Sequence, residues 1–100
     1  MKILLTGAFG NIGMSTLREL LRQGHQVRCF VSQRKAHERT AQRFAGKIEL
    51  IQGDIRQPTD ISKAVQDQDI IIHMAYMLPP HSEDLPDLAR SINIDGTRNL

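Results

Sequence analysis

Three glycines stand three residues apart, Gly7, Gly10 and Gly13 in TGAFGNIG, directly after the apolar run ILL. A strand that runs into a helix leaves up to four unpaired N–H groups and about half a positive charge at the corner, which makes it an anion seat. Bulk there would block it. In such a turn Gly7 takes the tight bend, Gly10 lets the main chain approach a pyrophosphate, and Gly13 lets the helix pack close to the sheet. The spacing Gly-x-x-Gly-x-x-Gly departs from the Gly-x-Gly-x-x-Gly of the commonest dinucleotide fingerprint. A plain strand-to-helix corner with no ligand would use the same three residues.

The remaining chemistry-bearing residues are scattered. Asp54 follows Gly53 and suits either a hydrogen bond from an exocyclic amine or a simple turn. His25, His37, His73 and His81 show no metal-ligand spacing. His73 reads as a packing residue between strand and helix, and His81, Glu83 and Asp84 read as a solvated loop. Cys29, the single cysteine, sits in an apolar stretch and reads as a small buried hydrophobe.

The elements that would position these residues alternate. KILLT (2–6) reads as a first strand, and Met14, Leu17, Leu20 and Leu21 recur at helical spacing from about Asn11 to Gln23, with Gly24 as the stop. QVRCFV (26–31) is a second strand, and residues 36–45 a helix ended by Gly46. KIELIQ (47–52) is a third strand, after which Asp60 suits the N-cap of a short helix carrying Ile61, Ala64 and Val65. DIIIHM (69–74) is a fourth, with the unbroken apolar run of a strand buried on both faces. A proline-marked loop follows, then a helix from near Pro86 that carries Leu88, Ile92 and Leu100.

Strand–helix alternation predicts an α/β fold, a Rossmann-type doubly wound parallel sheet in three α/β/α layers with strand order 3-2-1-4. Ending on so apolar a strand leaves a greasy edge. The expectation is therefore that residues 1–100 are the N-terminal part of a larger domain, or that a second chain covers the edge.

TGAFGNIG after KILL, GDI at 53–55, HMA at 73–75 and NIDGTRNL at 93–100 together resemble the extended short-chain dehydrogenase/reductases, the group that includes nucleotide-sugar epimerases and dehydratases. The resemblance covers nearly the whole chain and keeps the family's order of landmarks. It implies an NAD(P)-binding domain in which Gly7, Phe9, Gly10, Asn11, Ile12 and Gly13 line the pyrophosphate. It further implies that Asp54 and Ile55 meet the adenine, that Met74, Ala75 and Tyr76 lie beside the ribose and nicotinamide, and that Asn93 holds the last helix beside the active site. The family's catalytic Tyr-x-x-x-Lys has no counterpart here, because Tyr76 is the only tyrosine and Pro80 stands four residues later. No catalytic residue is assigned.

Coenzyme choice is read from the end of the second strand. An acidic residue about 20 positions past the glycines would bind the adenosine ribose. Val31 stands there, followed by Ser32, Gln33, Arg34 and Lys35. No carboxylate repels a 2′-phosphate and several donors could hold one, so NADP is expected, with Ser32 and Arg34 as its contacts and NAD as the alternative. Lys35, Arg39 and Arg43 at four-residue spacing also suit a solvated helix face.

Thirteen basic and eleven acidic residues among 100 leave a net charge of +2, too balanced for a dedicated nucleic-acid binder, and only four aromatics are available for stacking. No apolar stretch approaches a signal core or a membrane span. The expected setting is cytoplasmic and reducing, with a small carbonyl, hydroxyl or sugar-like substrate, no nucleic acid and no membrane partner. The resemblance allows a homodimer. A non-catalytic NAD(P) sensor is the rival, and a downstream Tyr-x-x-x-Lys would separate it from an enzyme.

Overall fold

In the computed structural model, which describes residues 1–75 together with Arg98 and Leu100, the alternating runs fold as successive βαβ units. They are β1 (Lys2–Thr6), α1 (Asn11–Arg22), β2 (Gln26–Val31), α2 (Lys35–Gln42), β3 (Glu49–Gln52), α3 (Pro58–Val65) and β4 (Ile70–His73). The four strands are parallel, in the order β3-β2-β1-β4. The order reverses between β1 and β4, which makes the crevice outside their carboxyl ends the topological switch point where open α/β sheets bind ligands.

Side chains alternate between two faces of the sheet, and each face has its own core. Leu5, Ala8, Leu17, Val27, Cys29 and Val31 pack on the side of α1, with Phe44 and Ile48 from the segment after α2. Leu4, Phe30, Ile55, Ile61 and Ala64 pack on the side of α3, joined by Leu100. Leu4, Leu5 and Leu17 are completely buried, and such burial stabilises by roughly 1.5–3 kcal/mol per side chain before ordering entropy is subtracted. Arg28 ties the layers: its guanidinium donates to the carbonyls of Ala64 (2.8 Å) and Gln66 (2.9 Å) at the end of α3 and pairs with Glu49 at 3.0 Å.

Helix ends follow local chemistry. α1 stops in a Schellman arrangement, with Gly24 at φ +84° donating to Leu21 and His25 donating to Leu20. The second helix ends at Gln42 rather than residue 45, because residues 43–47 turn through Gly46 at φ +77°, and β3 accordingly begins at Glu49 rather than Lys47. Asp60 is not the N-cap of α3. Gln57 takes that position, Pro58 opens the helix with its preset φ, and the Asp60 carboxylate accepts the main-chain N–H of Asp54 at 2.9 Å.

β4 is not buried on both faces. Ile70 and Ile71 are 38% and 40% exposed, since among the described residues β4 pairs only with β1. The expected helix carrying Leu88 and Ile92 lies outside the described residues.

Candidate nucleotide-binding site

The turn between β1 and α1 is built around two contacts that exclude a side chain. Gly7 has φ +68°, and a Cβ on it would lie 2.5 Å from the carbonyl oxygen of Met74 and 2.8 Å from the nitrogen of Ala75. A Cβ on Gly13 would lie 1.9 Å from the Gly7 carbonyl oxygen. Gly13 thus closes the turn on itself, a tighter contact than the helix-to-sheet packing its position suggested.

Gly10 differs from both. It is exposed, its φ of −75° and ψ of 173° suit any residue, and the nearest atom to a Cβ there is the Gly7 oxygen at 3.6 Å. Nothing in the protein's own packing requires a glycine at this position. Gly10 is also the N-cap of α1, with no side-chain cap bond. Asn11, Ile12 and Gly13 therefore present main-chain N–H groups that no side chain or carbonyl among the described residues accepts. A bare helix N-terminus beside an open Cβ position is the cradle an anionic bridge between nucleosides would fill. Ile12 is 69% exposed beside it.

Thr6 fixes this turn to the end of β4. Its hydroxyl oxygen accepts the N–H groups of Met74 (3.0 Å) and Ala75 (3.2 Å), so its own hydrogen goes to Nδ1 of His73 at 2.6 Å. Nδ1 of His73 is then an acceptor and the ring is neutral, in agreement with the burial that pushes its pKa below the usual value. His73 is a hydrogen-bonded tie between strands rather than a plain packing residue. Sequence reasoning passed over Thr6; its signal is a lone polar residue, completely buried, closing an apolar strand.

The other expected contacts divide by location. Met74 and Ala75 lie half-buried against Gly7, whereas Tyr76 and Asn93 lie outside the described residues. Asp54 stands at the carboxyl end of β3 and serves as a turn-former: its carboxylate accepts the N–H of Arg56 at 2.9 Å and pairs with the same residue's guanidinium at 2.7 Å, which holds its pKa below the ordinary carboxylate value. Ile55 is 7% exposed and packs with Leu4, Phe30 and Ile61. Val31 is buried too, while Ser32 and Arg34 are exposed at the end of β2. Phe9 reaches from the glycine turn to His37 of α2, their ring centroids 5.7 Å apart. A broad hollow between Met1, Gly24 and Asp69 lies at the other, amino end of the strands. Among the described residues no group of histidines, cysteines and carboxylates could hold a metal ion, and no helix is long and apolar enough to cross a membrane.

Residues 4–100 match the family described as the 3-beta hydroxysteroid dehydrogenase/isomerase family. The chain belongs to that family. The 3-beta-hydroxysteroid dehydrogenase of Mycolicibacterium neoaurum is 31% identical over 107 residues, covering 99% of this chain and 27% of that protein. Among solved structures, Pen from Bacillus thuringiensis superposes with a TM-score of 0.89 at 31% identity, over 98% of this chain and 31% of that one. The UDP-glucose-4-epimerase of Stenotrophomonas maltophila, solved with bound NAD and formylated UDP-arabinopyranose, gives a TM-score of 0.83 at 28% identity, over 100% of this chain and 32% of that one. This member of the 3-beta hydroxysteroid dehydrogenase/isomerase family thus spans under a third of the length of each of these relatives. The resemblance to the short-chain dehydrogenase/reductases read from the glycine turn and the three later landmarks holds.

Proposed function

We propose that this chain forms the nucleotide-binding part of an NADP-dependent oxidoreductase or epimerase acting on a small carbonyl, hydroxyl or sugar-like substrate. The observation that carries the reading is the contrast among the three glycines. Gly7 and Gly13 are required by the protein's own backbone, and Gly10 is required by nothing except what approaches from outside. A pyrophosphate fits that approach because its oxygens accept from the open N–H groups of α1. Gly7, Phe9, Gly10, Asn11, Ile12 and Gly13 would hold the diphosphate, with Met74 and Ala75 alongside the nicotinamide ribose. The bound nicotinamide supplies or removes a hydride.

The choice of NADP over NAD rests on the β2–α2 loop. Two relatives in crystal structures carry NAD. In this chain the buried Val31 offers no carboxylate to a ribose diol, and the exposed Ser32 and Arg34 offer donors to a phosphate. Titrating the protein with NADPH and with NADH, followed by coenzyme fluorescence and calorimetry, tests the reading. Saturable binding of either coenzyme is expected, tighter for NADPH. Flat traces for both would remove the proposal.

A further inference from the structure

Asp54 and Arg56 form a closed unit in the loop after β3. The Asp54 carboxylate accepts the main-chain N–H of Arg56 at 2.9 Å, and the guanidinium of the same residue grips it through Nε at 2.9 Å and Nη2 at 2.7 Å. All of these donors belong to one residue. The pair therefore forms without drawing two distant side chains together, the entropic cost that weakens most surface ion pairs. A carboxylate has about four acceptor sites, and these bonds leave one open. On the guanidinium, Nη1 has no partner among the described residues. The Arg56 and Asp54 side chains are 40% and 36% exposed, so a ligand can reach an acceptor and a donor held side by side. The bonds to Arg56 keep the Asp54 carboxyl below its ordinary pKa, and both groups are charged at neutral pH.

Strand order says what such a pair would meet. With the diphosphate on the turn after β1, one ribose falls at the end of β2, and the next strand of the sheet, about 4.8 Å further on, is β3. The base attached to that ribose then lies over the loop after β3. We infer that the Asp54–Arg56 pair is the specificity-determining element for that base, and that it accepts adenine and hypoxanthine alike. The inference rests on the dinucleotide reading above and departs from the expectation of Asp54 acting alone. A lone carboxylate would take the exocyclic amine of adenine and repel the carbonyl oxygen that replaces it in hypoxanthine. Arg56 cancels that repulsion. Its open N–H receives the hypoxanthine oxygen, while the remaining acceptor site of Asp54 receives the adenine amine or the N1–H of hypoxanthine.

Titrating the protein with NADPH and with NADH, each beside its hypoxanthine counterpart, reads the base alone because the rest of the ligand is unchanged. The adenine and hypoxanthine forms are expected to bind within about twofold of one another. Arg56→Ala frees the carboxylate, and the hypoxanthine form should then bind about tenfold more weakly than the adenine form. Asp54→Asn removes the negative charge but keeps an oxygen for the Arg56 N–H, and should tilt the ratio the other way. A purely structural role for the pair, holding the loop, would weaken all four ligands together and leave each ratio where it was. That result would overturn the inference and leave the dinucleotide reading intact. So would a preference for adenine of about tenfold or more in the unaltered protein, a measurement that needs no variant. Binding of none of the four ligands would remove both.

Discussion

The Thr6 hydroxyl donates to Nδ1 of His73 at 2.6 Å, joining the carboxyl ends of β1 and β4 where the glycine turn begins. Thr6→Val keeps the shape and removes the hydroxyl. It strands the His73 nitrogen and the Ala75 N–H, while Met74 keeps its bond to the Thr6 carbonyl at 3.1 Å. Leaving buried polar groups unpaired costs about 1–3 kcal/mol. Urea unfolding should show a loss in that range for Thr6→Val and a smaller one for Thr6→Ser.

The same pair sets a pH dependence. Burial lowers the pKa of His73 in the folded protein below its ordinary 6.5. The unfolded chain therefore binds the extra proton first, and the contribution is complete above about pH 6.5 and is lost as pH falls through the lowered value. A protonated Nδ1 would also point a third donor at a Thr6 oxygen that already accepts two. Urea midpoints measured from pH 7.5 down to pH 5 should fall, and His73→Asn, whose amide oxygen accepts in place of Nδ1, should flatten that slope.

Gly10→Ala and Gly13→Ala should fail in different ways. At Gly13 the added carbon would meet the Gly7 oxygen at 1.9 Å, so the turn must open and the melting temperature must drop by many degrees. At Gly10 the backbone is ordinary and the space is open, so the fold should survive with an unchanged melting temperature. Coenzyme affinity should still fall about tenfold or more, because the methyl group stands where the diphosphate must approach. A Gly10→Ala protein that binds as well as before would show that this glycine serves no ligand.

Cys29 should resist alkylation. It is completely buried in the core on the α1 side, and burial pushes its thiol up to about 12. The thiolate is the reacting form, so iodoacetamide at pH 8 should label the folded protein far more slowly than the urea-unfolded one. Equal rates would mean that this side of the core opens readily.

How much of this was legible in the sequence depends on whether the signal is local. The strands, the parallel order and the three layers followed from apolar runs and glycine stops, and strand order came out as expected. Caps were less legible, because they turn on which side chain reaches which N–H. Asp60 looked like a cap and instead holds the Asp54 amide across the β3–α3 loop. The unbroken Ile70–Ile72 run looked doubly buried, yet exposure of Ile70 and Ile71 depends on what lies beyond an edge strand, which periodicity does not encode. In the site, the glycine spacing announced the turn. It did not distinguish Gly10, open to a ligand, from Gly13, closed on its own backbone, since that difference exists only once β1, α1 and β4 are assembled. The Thr6–His73 tie was invisible for the same reason, with 67 residues separating the partners.

Coenzyme choice gives the last prediction, and burial decides how to test it. Restoring the acidic residue at Val31 would be a poor experiment, because Val31 is 5% exposed and a carboxylate there would be buried without a partner. Ser32, one residue on, is exposed and leaves the core untouched. Ser32→Asp adds a charge that repels a 2′-phosphate and can accept from a ribose diol, so NADPH affinity should fall and NADH affinity should rise. Arg34→Ala removes the guanidinium and should weaken NADPH by about tenfold or more while changing NADH little. The NADPH titrations should also weaken with salt more steeply before the Arg34 change than after it, since an exposed charge pair is screened. Equal losses of the two coenzymes in Arg34→Ala, with the salt slopes unchanged, would take the 2′-phosphate away from this loop.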